Sequence, residues 1–392
     1  RLAQGAVDLI ESGVMDEGGA ARLAERVGVS DRHLRRVFDA EFGVSPVEYA
    51  QTHRLLLAKR LLTDTSLPVT DVALASGFSS VRRFNALFRE RYRMAPVQLR
   101  RRAAGASSDG LDFELAYRPP YDFDALLGFL RDRAVAGIES ADETSYSRTL
   151  AIRRGAQLHT GRVTVRHRAR RRALAVRLSP SLARVVPAVL GKVRHAFDLA
   201  ADPGEIGAAL GSLASASPGL RVPGTFDGFE LAVRAIVGQQ VSVKAARTLL
   251  GRLVAAHGAA IEAPDAGTAR LFPAAAAMAA LAPAELARIG LVASRARAVH
   301  ALASAVDAGA LSLEPGADVE ATMRALTALP GIGDWTASYV AMRALRWPDA
   351  FLAGDLVVKR ELGAATAARA EAASVAWRPW RAYAVMHLWR RA

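Results

Sequence analysis

The sequence predicts a mainly helical chain with one small α+β segment, on three observations. Residues 1–104 hold two copies of one pattern, a short apolar helix, a glycine and a basic helix. Near residue 111 the apolar period changes to two, as in Leu111-Asp112-Phe113-Glu114-Leu115. From about 181 onward the helical period returns in Ala-, Leu- and Arg-rich stretches cut by Pro and Gly turns. A length of 392 residues exceeds one ordinary core, so two to four domains are expected. We divide the chain into a double helix-turn-helix domain (1–104), a linker (105–110), a small antiparallel α+β domain (111–180) and helical domains (181–392).

Composition narrows the chemistry. Cysteine is absent, which excludes disulfides, zinc-thiolate sites and Cys nucleophiles. The formal charge of +14 points to a polyanionic partner. Much of the excess lies in residues 151–200, where 12 Lys and Arg face a single acid, Asp198; a solvated sheet face and direct phosphate contact explain it about equally well. Without a signal-peptide pattern or a run of 18 apolar residues, a cytoplasmic protein is expected, with no membrane partner. The chain opens on Arg1 rather than Met, so a fragment of a longer protein is expected.

In the N-terminal repeat, Gly28 and Gly77 close the short helices, where the turn needs a flexible backbone. Ser30 and Ser79 are read as N-caps of the basic helices that follow. Pro46 to Leu62 makes a long connecting helix that would hold the two units at a fixed separation. The segment 103–110, Ala-Ala-Gly-Ala-Ser-Ser-Asp-Gly, is small and patternless, and is the clearest boundary in the chain. Beyond it, Val163-Thr164-Val165 and Leu174 to Leu178 continue the strand period, and a helix is expected to start near Asp124.

The chemistry is densest at Leu329-Pro330-Gly331-Ile332-Gly333-Asp334-Trp335-Thr336. It reads as two helices joined by a tight turn, with Gly331 and Gly333 free to take positive φ. N–H groups at the start of the second helix then form a site for a DNA phosphate. Asp355 follows Trp335 by twenty residues, at the mouth of another apolar segment. Helix N-capping alone would explain it; a functional carboxylate is the other reading.

These residues resemble the helix-hairpin-helix DNA glycosylase superfamily. Residues 111–392 resemble the AlkA-type 3-methyladenine glycosylases along nearly their whole length, through Arg118-Pro119-Pro120-Tyr121-Asp122, Pro218 to Gly224, Val233 to Val243, the hairpin, and Trp377-Arg378-Pro379-Trp380. Residues 1–102 resemble the AraC-type activator domain of Ada-like proteins, through Leu67-Pro68-Val69-Thr70-Asp71, Gly77 to Asn85 and Ala95-Pro96. The resemblance implies a monofunctional glycosylase for alkylated bases joined to a transcription regulator of the alkylation response. A transcription factor whose glycosylase half only senses or binds DNA is the alternative.

Roles follow from the likeness. Asp355 would be catalytic, by direct electrostatic stabilisation or by orienting the attacking water. Phe129, Trp335, Tyr339 and Trp389 would line the base pocket. Gln240 would be the wedge filling the gap left by the flipped nucleotide, and Gly331, Gly333 and Thr336 would grip the strand. Arg32, His33, Arg35 and Arg36, with Ser80, Arg82, Arg83 and Asn85, would face promoter DNA. Family members that also cut the backbone carry a Lys where Trp335 stands, so a Lys-dependent lyase step is not expected. No cofactor is implied as essential; a structural Na or K ion held by the carbonyls of Thr327, Leu329 and Ile332 is implied as an addition. Double-stranded DNA is the implied partner, with RNA polymerase as a second partner of the activator domain. The family relative has Leu in place of Gln240 and an aromatic in place of Arg390, so gap filling and substrate range are expected to differ. Ada-type proteins carry a Cys-zinc methyl-acceptor domain before the activator domain, and its removal is expected here.

Overall fold

The structure, a computed structural model, describes residues 2–11, 13–65, 67–102, 110–262 and 269–391. Most of the expected linker, 105–109, therefore lies outside the described residues. The chain divides into two compact units. One comprises Arg1–Glu114, Leu150–Thr164 and Ala175–Arg194; the other comprises Leu115–Thr149, Val165–Leu174 and His195–Ala392.

The first unit begins with seven helices: α1 (Leu2–Glu11), α2 (Met15–Arg26), α3 (Asp31–Phe42), α4 (Pro46–Asp64), α5 (Val69–Ala75), α6 (Val81–Tyr92) and α7 (Pro96–Arg102). The internal repeat is regular at an offset of fifty residues. Leu34 and Phe38 are buried on α3, and Phe84 and Phe88 on α6. Ser30 accepts the His33 N–H and Ser80 the Arg83 N–H, so the second N-cap is Ser80 rather than the expected Ser79. Gly28 and Gly77 take φ of 70° and 85°, as their turns require. A capping box of Ser45 and Glu48 starts α4.

The sheet is five-stranded and antiparallel, in the order β1-β5-β4-β3-β2, with β1 Leu111–Ala116, β2 Glu139–Ala141, β3 Ser145–Arg154, β4 Gln157–Arg168 and β5 Ala173–Leu178. In β2 and β3, Glu139 pairs with Arg148 and Ala141 with Tyr146. The expected alternation in β1 buries Leu111, Phe113 and Leu115. The helix expected near Asp124 is α8 (Phe123–Asp132), capped by Asp122.

Within the first unit, the basic excess has a third use that the sequence did not indicate. The Arg184 guanidinium meets Asp71 of α5 at 2.9 Å, and Arg154 donates to the Leu74 carbonyl at 2.8 Å. Arg194 pairs with Glu11 of α1. These arginines tie the N-terminal helices to β3 and to the segment 180–194.

The second unit is otherwise helical: α9 (Val186–Ala196, whose last two residues belong to it), α10 (Pro203–Leu210), α11 (Ser212–Ser215), α12 (Gly228–Val237), α13 (Val243–His257), α14 (Ala275–Ala279), α15 (Pro283–Ala287), α16 (Ala293–Asp307), α17 (Val319–Thr327), α18 (Asp334–Arg343), α19 (Leu356–Glu361), α20 (Ala367–Ala373) and α21 (Arg381–Arg391). Two apolar cores share α18. Ala337 and Val340 belong to a core with Ile236, Leu253 and Val299. Ala341 and Met342 belong to another with Phe351, Val385 and Leu388. Among the described residues, no helix is long and apolar enough to cross a membrane.

At the end of α6, Arg93 takes φ 54°, whereas its repeat mate Gly43 occupies the same left-handed position after α3 at φ 67°. A side chain there costs about 1 kcal/mol relative to glycine. Arg93→Gly should therefore raise the unfolding free energy by about 1 kcal/mol, read from the urea midpoint; no change or a loss would refute this account of the cap.

Candidate active site

Asp355 starts α19 and faces a wall of aromatic side chains. Its Oδ1 accepts the Val357 and Val358 N–H groups, both at 3.0 Å. The same oxygen accepts the Trp389 indole N–H at 3.1 Å, and Oδ2 accepts that of Trp335 at 2.9 Å. The capping and the functional readings of this residue are thus compatible: one carboxylate caps α19 and joins α18 to α21.

The wall is set by helical spacing. Trp335 and Tyr339 lie one turn apart on α18 and stack with centroids 5.2 Å apart and planes 10° from parallel. Trp389 of α21 lies 6.4 Å from Tyr339. With Phe129 of α8 they line a cavity of about 580 Å³. All four are half-buried and pack against the second core. They are core residues on one side and cavity lining on the other, so the site brings together the four aromatics expected.

Two arginines in this wall escaped the sequence reading. The Arg133 guanidinium lies 3.8 Å from the Phe129 ring centroid, and that of Arg343 lies 4.9 Å from it. Arg343 is buried; it donates to the carbonyls of Pro223 at 2.6 Å and Gly224 at 3.0 Å, and to the Tyr339 hydroxyl. Burial lowers the Arg133 pKa from its usual value. The available signal was spacing: Arg133 is four residues after Phe129 and Arg343 four after Tyr339, so each shares a helix face with its ring. Elsewhere in the cavity lining, Arg148 pairs with Glu230 at 2.7 Å, and Arg234 with Glu139 at 2.7 Å. Arg390 reaches Asp122, the cap of α8, at 3.1 Å.

The hairpin joins α17 to α18. Gly331 takes φ 80°, and a Cβ there would come 3.1 Å from the Ala298 Cβ. Gly333 differs from expectation: as N-cap of α18 it has φ −99° and ψ 177°, an extended conformation open to any residue. A Cβ at Gly333 would meet nothing within 4 Å, so the turn itself does not demand this glycine. Thr336 also differs, since its side chain is 3% exposed and its hydroxyl accepts the Gln239 amide at 3.1 Å. Burial in the first turn of α18 leaves Thr336 its main-chain N–H, rather than its hydroxyl, for a strand. Gln240 is exposed in the turn after α12, with φ 53°. In the first unit, Arg32, Arg35, Arg36, Ser80, Arg82 and Arg83 are exposed, while His33 and Asn85 are half-buried. The Ser80 hydroxyl is engaged as a cap and Arg35 pairs with Asp31 at 2.9 Å. Among the described residues, no group of three or more His, Asp or Glu is placed to hold a metal.

A probable bifunctional transcriptional activator/DNA repair enzyme AlkA of Mycobacterium tuberculosis is 36% identical, over 98% of this chain and 79% of that protein. DNA-3-methyladenine glycosylase 2 of Escherichia coli K12 is 38% identical, over 71% of this chain and 96% of that enzyme. The chain belongs to the AlkA family. Three family models divide it in order: a helix-turn-helix domain at 23–102, the AlkA N-terminal domain at 112–227, and the HhH-GPD superfamily base excision DNA repair protein at 233–376. The fold is shared with the 3-methyladenine DNA-glycosylase of Archaeoglobus fulgidus (20% identity, TM-score 0.59, 70% of this chain and 96% of that one). It is shared also with the 8-oxoguanine glycosylase/lyase of Clostridium acetobutylicum (15% identity, TM-score 0.54, 73% and 96%).

His387 lies two residues before Trp389 and is buried. Desolvation first, then Arg391 and Arg390, lowers its pKa to about 4. An unfolded chain binds this proton near pH 6.5, so stability is full above 6.5 and is lost as the pH falls towards 4. His53 in the first unit, lowered to about 4 by burial and by Arg194 and Arg54, adds to the same trend. The denaturant midpoint should fall between pH 6.5 and 4.5, less steeply in His387→Gln than in the parent; equal slopes would rule out His387 as a contributor.

Proposed function

We propose that the chain is a monofunctional DNA glycosylase that hydrolyses the N-glycosidic bond of alkylated bases of the 3-methyladenine type. The observation that carries this reading is the Asp355 carboxylate, which accepts the indole N–H groups of Trp335 and Trp389, two of the aromatics that line the cavity. Alkylation of a purine ring nitrogen leaves the base cationic and a better leaving group. Gln240 would enter the duplex as the nucleotide rotates out, while first-turn N–H groups of α18 beside Gly331 and Gly333 hold a phosphate. The electron-poor ring would lie against Trp335, Tyr339, Trp389 and Phe129, each cation–π contact adding about 0.5–2 kcal/mol.

As the bond from C1′ to the ring nitrogen breaks, the electron pair leaves with the base, which departs neutral. Positive charge then develops on the sugar, next to Asp355. The carboxylate stabilises that charge directly or orients the water whose oxygen bonds to C1′; the water's proton goes to solvent or to the carboxylate. Trp335 has no amine, so a Lys-mediated strand cleavage from this position does not follow.

The N-terminal residues 1–104 would be a transcription-regulator domain of the alkylation response. Its basic helices α3 and α6, with Arg32, His33, Arg35, Arg36, Ser80, Arg82, Arg83 and Asn85, would read promoter DNA, and RNA polymerase would be its further partner. Residues 111–180 and 181–392 would form the glycosylase. The protein would act in the cytoplasm, at the nucleoid. No cofactor enters the chemistry. A carbonyl-only donor set suits a monovalent cation at the hairpin, Na or K, held by Thr327, Leu329 and Ile332. The Leu329 carbonyl accepts the Ile332 N–H at 3.3 Å, which leaves it a second lone pair for an ion.

Asp355→Asn retains an oxygen to cap α19 but removes the charge. It should lower release of 3-methyladenine from duplex DNA by about a hundredfold or more with unchanged duplex affinity; equal release would remove Asp355 from the chemistry. If no alkylated duplex loses its base to the parent protein while promoter DNA is bound, the binding-only reading replaces this one. With six or so phosphate contacts, affinity should drop by about a thousandfold from 50 to 200 mM salt. A flat salt profile would argue against phosphate-dominated binding.

A further inference from the structure

Gln239, between the end of α12 and the exposed Gln240, has a side chain that the chemistry above does not use. Its Nε2 donates to the Gly331 carbonyl at 3.0 Å and to the Thr336 hydroxyl at 3.1 Å. Gly331 is the left-handed residue of the hairpin turn, and Thr336 is buried in the first turn of α18. One amide, with its two N–H groups both engaged, therefore joins the loop after α12 to both sides of the hairpin. The next residue, Gln240, sits at φ 53°, a region that an L side chain adopts only where its surroundings hold it there. Upstream, α12 is itself anchored: Glu230 pairs with Arg148 of β3 and Arg234 with Glu139 of β2, at 2.7 Å each.

We propose that Gln239 is a positioning residue that fixes Gln240 in register with the hairpin, so that wedge insertion and strand grip occur as one movement. This rests on the glycosylase reading for the roles of Gln240 and the hairpin. The chemistry demands an amide. Leucine would fill the volume but donate nothing, and a carboxylate would accept from Thr336 but oppose the Gly331 carbonyl.

The test needs no catalysis. A duplex carrying a tetrahydrofuran abasic analogue with 2-aminopurine as the adjacent base reports wedge insertion, because unstacking raises its fluorescence. The parent protein should give a large rise. Gln239→Leu, which loses both hydrogen bonds, and Gln239→Glu, which keeps an acceptor for Thr336 but repels the Gly331 carbonyl, should give less than half of it and bind about tenfold more weakly, with thermal midpoints within a few degrees of the parent. Thr336→Val should show part of this loss, and Gln239→Leu combined with Thr336→Val should be no worse than Gln239→Leu alone. Parental fluorescence and affinity in Gln239→Leu, or fully additive losses in the double variant, would overturn the proposal. Should Gln239→Leu fold poorly, the comparison of Thr336→Val with Gln239→Glu decides in the same way. Failure of the parent to release any alkylated base, with the Gln239 effects intact on abasic DNA, would sink the glycosylase reading and leave this one standing.

Discussion

The organisation of the second unit depends on one carboxylate and the four N–H groups that meet it. Asp355 accepts two main-chain donors from α19 and one indole from each of α18 and α21. Charge-assisted hydrogen bonds of this kind are about twice as strong as neutral ones. They also have direction: the two indoles orient the rings that line the cavity, so a single group sets both the charge and the aromatic surface. Removing the charge therefore alters the electrostatics and the wall together, and Asn is the substitution that separates them best.

The aromatic wall stays in place because α18 is buried on both sides. Ala337 and Val340 pack in one core and Ala341 and Met342 in the other. Small residues at 337 and 341 allow close packing, while Trp335 and Tyr339 are left on the face between, in contact with the cavity. Arg343 continues that face and binds the chain at Pro223 and Gly224. Its guanidinium and that of Arg133 already lie against Phe129, so part of the π surface is occupied by the protein's own cations. Arg343 also lies 5.2 Å from the Tyr339 ring centroid, so of the four wall aromatics those without a guanidinium against them, among the described residues, are Trp335 and Trp389.

Much of this was legible because the informative residues are local. The period of two at Leu111 to Leu115, the helix repeat, the glycine turn and the Asp355 spacing all act through neighbours in sequence. The second N-cap was misplaced by one residue within Ser79-Ser80, although the fifty-residue offset from Ser30 indicates Ser80. Gly333 and Thr336 stand out by residue type, whereas their roles follow from helix position: one is an extended cap, the other is buried with its hydroxyl on the Gln239 amide. The docking of Arg154, Arg184 and Arg194 onto helices was illegible for a different reason. Their partners, Leu74, Asp71 and Glu11, are distant in sequence, and no periodicity marks a contact across 80 to 183 residues. The strut from Gln239 to Gly331 and Thr336 is illegible on the same ground.

What remains is whether the Asp355 charge acts on the sugar. A duplex holding a pyrrolidine in place of the sugar carries positive charge where the reaction would develop it, and one holding tetrahydrofuran has the same shape without charge. The ratio of the two affinities, measured for the parent and for Asp355→Asn, isolates that interaction. The account predicts a preference for the charged duplex of about tenfold or more in the parent and its near disappearance in the variant. An equal preference in both proteins would contradict it.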